Sequence, residues 1–178
     1  MANLSNLSSK LSRRQFSWDA FVLLIVTFWL SSSVLLDFLM MPMMYESGMM
    51  STPDFATAGY SLFWVFNRVE ILCGAAILTG LLVLRQNRNK YDVIASGSRS
   101  RWALWLSGAL FAIALAYTYL LTPQMSALGL NLSGESSDFV APQMTLMHVA
   151  YWGLEALKLL GAGLLIKLCY RDMADSLA

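Results

Sequence analysis

A chain of 178 residues with 57% hydrophobic and 13% charged side chains lies outside the range of soluble domains, where about 45–50% apolar and about 25% charged is usual. It reads as an integral membrane protein whose obligatory partner is the lipid bilayer. The formal net charge of +1, with no basic patch outside the membrane flanks, excludes a nucleic-acid partner.

A helical crossing of the hydrocarbon core takes about 20 apolar residues. Four stretches qualify, with predicted spans at 20–41, 57–84, 101–121 and 145–168. The expected architecture is an all-α bundle of four transmembrane helices, with a tail at 1–17, a membrane domain at 18–170 and a second tail at 171–178. Ser12 to Phe16, SRRQF, has the look of a twin-arginine export signal. The apolar run behind it is long, contains Trp29 and Asp37 and lacks a small-residue cleavage site, so it reads as a retained span.

The first span is expected to stop at Pro42, whose ring removes a backbone donor, after admitting Asp37. Six methionines follow within Met40 to Met50. The second span carries Asn67, Arg68 and Glu70 in its outer half, then Gly74 and Gly80, small residues suited to close helix packing. The third span has hydroxyl groups as its only polar side chains and is expected to end at Pro123. The fourth holds His148, Glu155 and Lys158. At about 100° per residue His148, Tyr151, Trp152, Glu155 and Ala162 share one face, and Lys158 is within reach of Glu155 along the helix.

Lys10, Arg13, Arg14, Arg85, Arg88, Lys90, Arg99, Arg101, Lys167 and Arg171 flank the spans on one side, whereas Glu46, Asp54, Glu135 and Asp138 occupy the opposite loops. The positive-inside rule then places both termini in the cytoplasm, in an inner or cytoplasmic-type membrane. Cys73 lies within a span and Cys169 at the far end of another, which gives no disulfide framework. LMMPMMYESG at Leu39 to Gly48 and LLTPQMSALG at Leu120 to Gly129 share Leu, Pro, Met and Gly. The 81-residue offset between Pro42 and Pro123 also carries Asn67 onto His148, suggesting two helical hairpins repeated in parallel.

These echoed hairpins, the Pro-Met exits and the Met147-His148 pair opening the last span resemble a family of small four-helix membrane proteins of unknown function. It includes the eukaryotic transmembrane protein associated with cisplatin resistance. More distantly, the chain is similar to bacterial copper-resistance membrane proteins. The family's last span has a Leu-His pair and an asparagine about two turns on; here Met147-His148 replaces the pair and Glu155 takes the place of asparagine. The resemblance implies a four-span bundle and metal tolerance, and the Asn-to-Glu departure separates this chain's polar face from the family pattern.

Two constellations could carry chemistry. Asp37, Asn67, Arg68, Glu70, His148, Glu155 and Lys158 form an intramembrane polar cluster, and charges within lipid need partners because each costs at least about 2.5–3.5 kcal/mol on insertion scales. The expected pairing is Asp37 with Arg68, leaving Glu70, His148 and Glu155 to face a common cavity; a hydrogen-bonded clasp that fixes helix register is the competing account. The second constellation is Met40, Met43 and Met44 with His148. Soft thioethers and imidazole select monovalent copper and similar ions, although Met is also flexible packing material. No nucleophile motif or phosphate loop accompanies either set, so no catalytic residue is assigned. The functional expectation is a small protein that binds or passes a small cation or soft metal through an outward-facing polar cavity. The alternative is a non-catalytic subunit or assembly factor of a larger membrane complex, or a homo-oligomer.

Overall fold

The computed structural model describes residues 17–48, 55–90, 98–132 and 141–177. The N-terminal tail with its twin-arginine stretch, Met49, Met50, Asp54, Glu135 and Asp138 lie outside the described residues. The described chain is helical throughout: α1 (Trp18–Val34), α2 (Met41–Glu46), α3 (Phe55–Lys90), α4 (Ser98–Ala116), α5 (Thr122–Leu132) and α6 (Ala141–Leu177). Wide π turns join α1 to α2 over Leu35–Met40 and α4 to α5 over Tyr117–Leu121. Four continuous stretches are long and apolar enough to cross a membrane: Trp18–Glu46, Thr57–Gln86, Arg101–Leu128 and Pro142–Ala174. The protein is a multi-pass membrane protein.

Neither proline ends its helix, contrary to the sequence expectation. The Met41 backbone N–H reaches the Leu36 carbonyl, five residues back, and Pro42 follows it. Thr122 N–H likewise reaches the Tyr117 carbonyl just before Pro123. Widening the turn at this point accommodates a ring that would collide with the carbonyl four residues back in a regular helix. The first helix then runs on to a C-terminus at Ser47, with Gly48 at φ 73°, the left-handed conformation that glycine adopts without a Cβ penalty.

Cross-helix pairs fix the register. Val22 meets Gly80, and Trp29 meets Glu70 further on, so spans one and two are antiparallel. Gly74 against Phe111 and Asn67 against Thr122 orient span three against span two. Leu110 against Gly161 and Tyr117 against Glu155 orient span four, which closes the bundle on span one through Tyr151 and Asp37. Close approach depends on the glycines: a Cβ at Gly80 would stand 2.5 Å from Val22 Cγ2, and one at Gly74 would stand 2.9 Å from the Phe111 ring.

Outside, the bundle shows Leu24, Phe28, Trp105, Leu157 and Leu160, a lipid-facing surface. The interior divides by depth. Towards the termini it is apolar, built from Val22, Val26, Ile77, Leu81, Leu110 and Leu165. From mid-depth towards the end bearing Pro42 and Pro123 it is lined by Ser33, Asp37, Asn67, Glu70, Glu155 and Lys158.

Candidate functional site: a buried carboxylate-lysine cluster

Lys158 stands at the midpoint of the Pro142–Ala174 span and points inward. Its ammonium donates to Glu70 Oε1 and, at 2.7 Å, to Glu155 Oε2. The Glu155 contact is the expected i,i+3 pair; the Glu70 contact crosses from span four to span two. Trp29 Nε1 also donates to Glu70 Oε1 at 2.9 Å, with Ser33 Oγ 3.4 Å away. The Tyr117 hydroxyl donates to Glu155 Oε2 at 3.1 Å and approaches the Tyr151 carbonyl at 3.2 Å. Above it, the Tyr151 hydroxyl donates to Asp37 Oδ1. All four spans therefore contribute to one polar network.

The π turns supply two of its members. Asp37 lies in the first and Tyr117 in the second, each only 2% exposed. A wide turn shifts the following side chains around the helix axis. Here both turns coincide with a buried polar side chain. Asp37, Glu70, Glu155 and Lys158 are all 3% exposed or less, so water supplies little solvation. Three carboxylates face one ammonium, and one oxygen of each carboxylate, Asp37 Oδ2, Glu70 Oε2 and Glu155 Oε1, has no hydrogen-bond partner.

The expected Asp37–Arg68 pair does not form. Asp37 binds Tyr151, while Arg68 is exposed, lies 3.3 Å from the centre of the Trp64 ring and donates from Nη1 to the Trp64 carbonyl at 3.0 Å. Arg68 occupies the outer face of span two, whereas Asn67 and Glu70 face the interior; two positions before Glu70, Arg68 falls on nearly the opposite side of the helix. The expected cavity shared by Glu70, His148 and Glu155 also fails at His148. That residue keeps the angular face of Glu155 but is exposed towards the helix end, where its Nδ1 lies 2.9 Å from the Met144 carbonyl oxygen. Trp152 is exposed as well. Asn67 instead donates to Thr122 Oγ1 at 2.7 Å, a separate polar contact between spans two and three.

Trp29, Ser33, Tyr117 and Tyr151 complete the site without having been assigned to it from sequence. Tyr151 alone carried a signal, its place on the Glu155 face. Trp29 carried none, because an indole in a span has the same appearance whether it meets a headgroup or a buried carboxylate. Of the soft-ligand set, Met40 and Met43 are exposed and Met44 is half-buried. Among the described residues, no group of three or more His, Cys, Asp and Glu side chains is disposed to hold a metal ion. A small cavity lies at the opposite, terminal end, lined by Asp19, Arg85, Asp172 and apolar neighbours, away from the cluster.

No curated protein and no solved structure matches the chain. A family model described as a domain of unknown function, DUF4149, matches residues 24–131. The match covers most of the first span and all of the second and third, with their two π turns, and stops before the span that provides Tyr151, Glu155 and Lys158. With more than half of its length matched, the chain belongs to the DUF4149 family.

Proposed function

We propose that the chain binds a small cation in the buried cluster and passes it towards the end bearing Pro42, Pro123 and His148. The supporting observation is the charge imbalance: three buried carboxylates, one buried ammonium and three bare oxygens. Full ionisation would leave an excess of two negative charges at mid-depth, where charge is most costly. A bound cation offsets that excess. The oxygens of Glu155, Tyr117, Tyr151, Asp37 and Thr122 succeed one another from mid-depth to the proline end, and the basic flanks on the other side assign that end to the outside. Matching π turns before Pro42 and Pro123, and Gly80 and Gly161 each against the preceding span, favour two repeated hairpins as the frame.

The test is flux in proteoliposomes, wild type beside Glu155→Gln, with proton, sodium, potassium and monovalent copper gradients in separate runs. Selective flux in the wild type and its loss in the variant is the expected result. Equal leakage in both, for every ion, would remove the proposal.

The cluster's contacts to all four spans favour a second reading, a structural clasp in a subunit or assembly factor. A Glu70→Met/Glu155→Met/Lys158→Met variant that folds and retains flux would exclude the cation site, whereas one that loses its fold together with flux would favour the clasp. Soft-metal tolerance, implied by the resemblance to the cisplatin- and copper-resistance proteins, is supported by the exposed thioethers of Met40 and Met43. Element-resolved mass spectrometry of wild type and His148→Ala decides it. Stoichiometric metal lost in the variant supports a site there, and none in either returns these methionines to packing.

A further inference from the structure

Asp37 and Glu155 have the same asymmetry. Each carboxyl group gathers its donors on one oxygen: Tyr151 on Asp37 Oδ1, and Lys158 with Tyr117 on Glu155 Oε2. Each leaves the other oxygen bare, Asp37 Oδ2 and Glu155 Oε1, and the two carboxyl groups meet at one pair of tyrosines: Tyr151 holds Asp37, and Tyr117, in contact with Tyr151, holds Glu155. Two carboxylate oxygens cannot share a hydrogen bond without a hydrogen, and two like charges in contact in a dry interior repel strongly.

We propose that one proton is held between Asp37 Oδ2 and Glu155 Oε1, so that the two carboxyl groups form one acid carrying a single negative charge. The inference rests on the reading of the cluster as a cation site and identifies that cation as a proton. Loading forms one O–H bond from solvent-derived hydronium and releases water; no electron moves.

The surroundings favour a proton over a metal ion. Calcium takes 6–8 oxygen ligands and magnesium six in a near-octahedral shell. Here each of the two carboxyl groups offers a single bare oxygen, and the Lys158 ammonium 2.7 Å from Glu155 opposes a second dense positive charge. The remaining neighbours are accounted for on every span: Trp29 and Ser33 on span one, Glu70 on span two, Tyr117 on span three, and Tyr151 and Lys158 on span four. Lys158 offsets one of the two carboxylates it touches, the shared proton neutralises another of the three, and the excess falls from two negative charges to one. The Tyr117 and Tyr151 rings, with centroids 5.3 Å apart, wall the pair beside the hydroxyl that reaches Asp37.

The deciding measurement is the infrared carbonyl band of a protonated carboxylic acid in the detergent-purified full chain at neutral pH. Wild type should show one such band. Asp37→Asn and Glu155→Gln, near-isosteric changes that bring their own amide donors, should each abolish it; Glu70→Gln should retain it. If only one of the first two variants folds, that one decides. No band in the wild type, or a band lost in Glu70→Gln and kept in the other two, overturns the inference. Parallel flux assays separate the layers: a band without flux keeps the shared proton and removes transport, whereas sodium or potassium flux without a band keeps the cation site and removes the proton.

Discussion

The two halves of the bundle interior are held together by different physics. Near the termini the helices meet through apolar side chains and glycines, with Val22 pressed against Gly80 and Leu110 against Gly161. From mid-depth onward they meet through Trp29, Glu70, Lys158, Glu155, Tyr117, Tyr151 and Asp37. The apolar half tolerates no extra volume, and the polar half tolerates no lost partner. Lipid explains the contrast: apolar packing between helices gains little over packing against lipid tails, so small residues and close contact must supply the affinity, whereas a polar group in hydrocarbon has no solvent to fall back on.

Removing the ammonium tests the polar half most severely. Lys158→Met should destabilise the fold by about 3–5 kcal/mol, the range for a buried charge network that loses one partner, read as an earlier thermal transition in detergent. A melting curve superimposable on wild type would show that the cluster is neutral without Lys158. In the apolar half, Gly80→Val places a branched side chain where even a Cβ lies 2.5 Å from Val22. Overpacking of this kind costs about 1–3 kcal/mol, and Val22→Ala should restore part of it in the double variant. Failure of that rescue would mean that span one does not pack there as described.

Two smaller effects sharpen the difference. Asn67→Ala removes a single rung to Thr122, and interhelical hydrogen bonds in membranes average about 0.6 kcal/mol; a loss as large as that of Lys158→Met would mean that Asn67 belongs to the central network. Arg68→Ala should be the mildest, below about 1 kcal/mol, since it removes an exposed cation–π contact. A large loss there would point to a partner on the lipid-facing side. Lys158 and Arg68 are the two basic residues set away from the basic flank of the spans, and opposite solutions serve them: one is enclosed by carboxylates, the other lies over Trp64 one turn nearer the proline end, where a long side chain can snorkel.

Much of this was legible in the sequence. Apolar runs of membrane length gave the four helices, the Glu155–Lys158 spacing gave their contact, and Gly74 and Gly80 gave the close approach. The helix ends were misjudged at Pro42 and Pro123, because a π turn that relieves a proline has no distinct composition. Partner choice was misjudged for Asp37 and Arg68, since opposite charges on neighbouring spans suggest a pair until helix rotation is known.

The sequence by itself therefore determined that the chain lives in lipid, how many times it can cross and which charges it must accommodate, because those follow from length, hydropathy and the cost of burying charge. Only the tertiary structure decided which charges meet. Rotation of each helix about its axis, shifted in spans one and three by the π turns, turns Asp37 to Tyr151 and Arg68 outward, and no spacing along one helix fixes the angle at which another faces it.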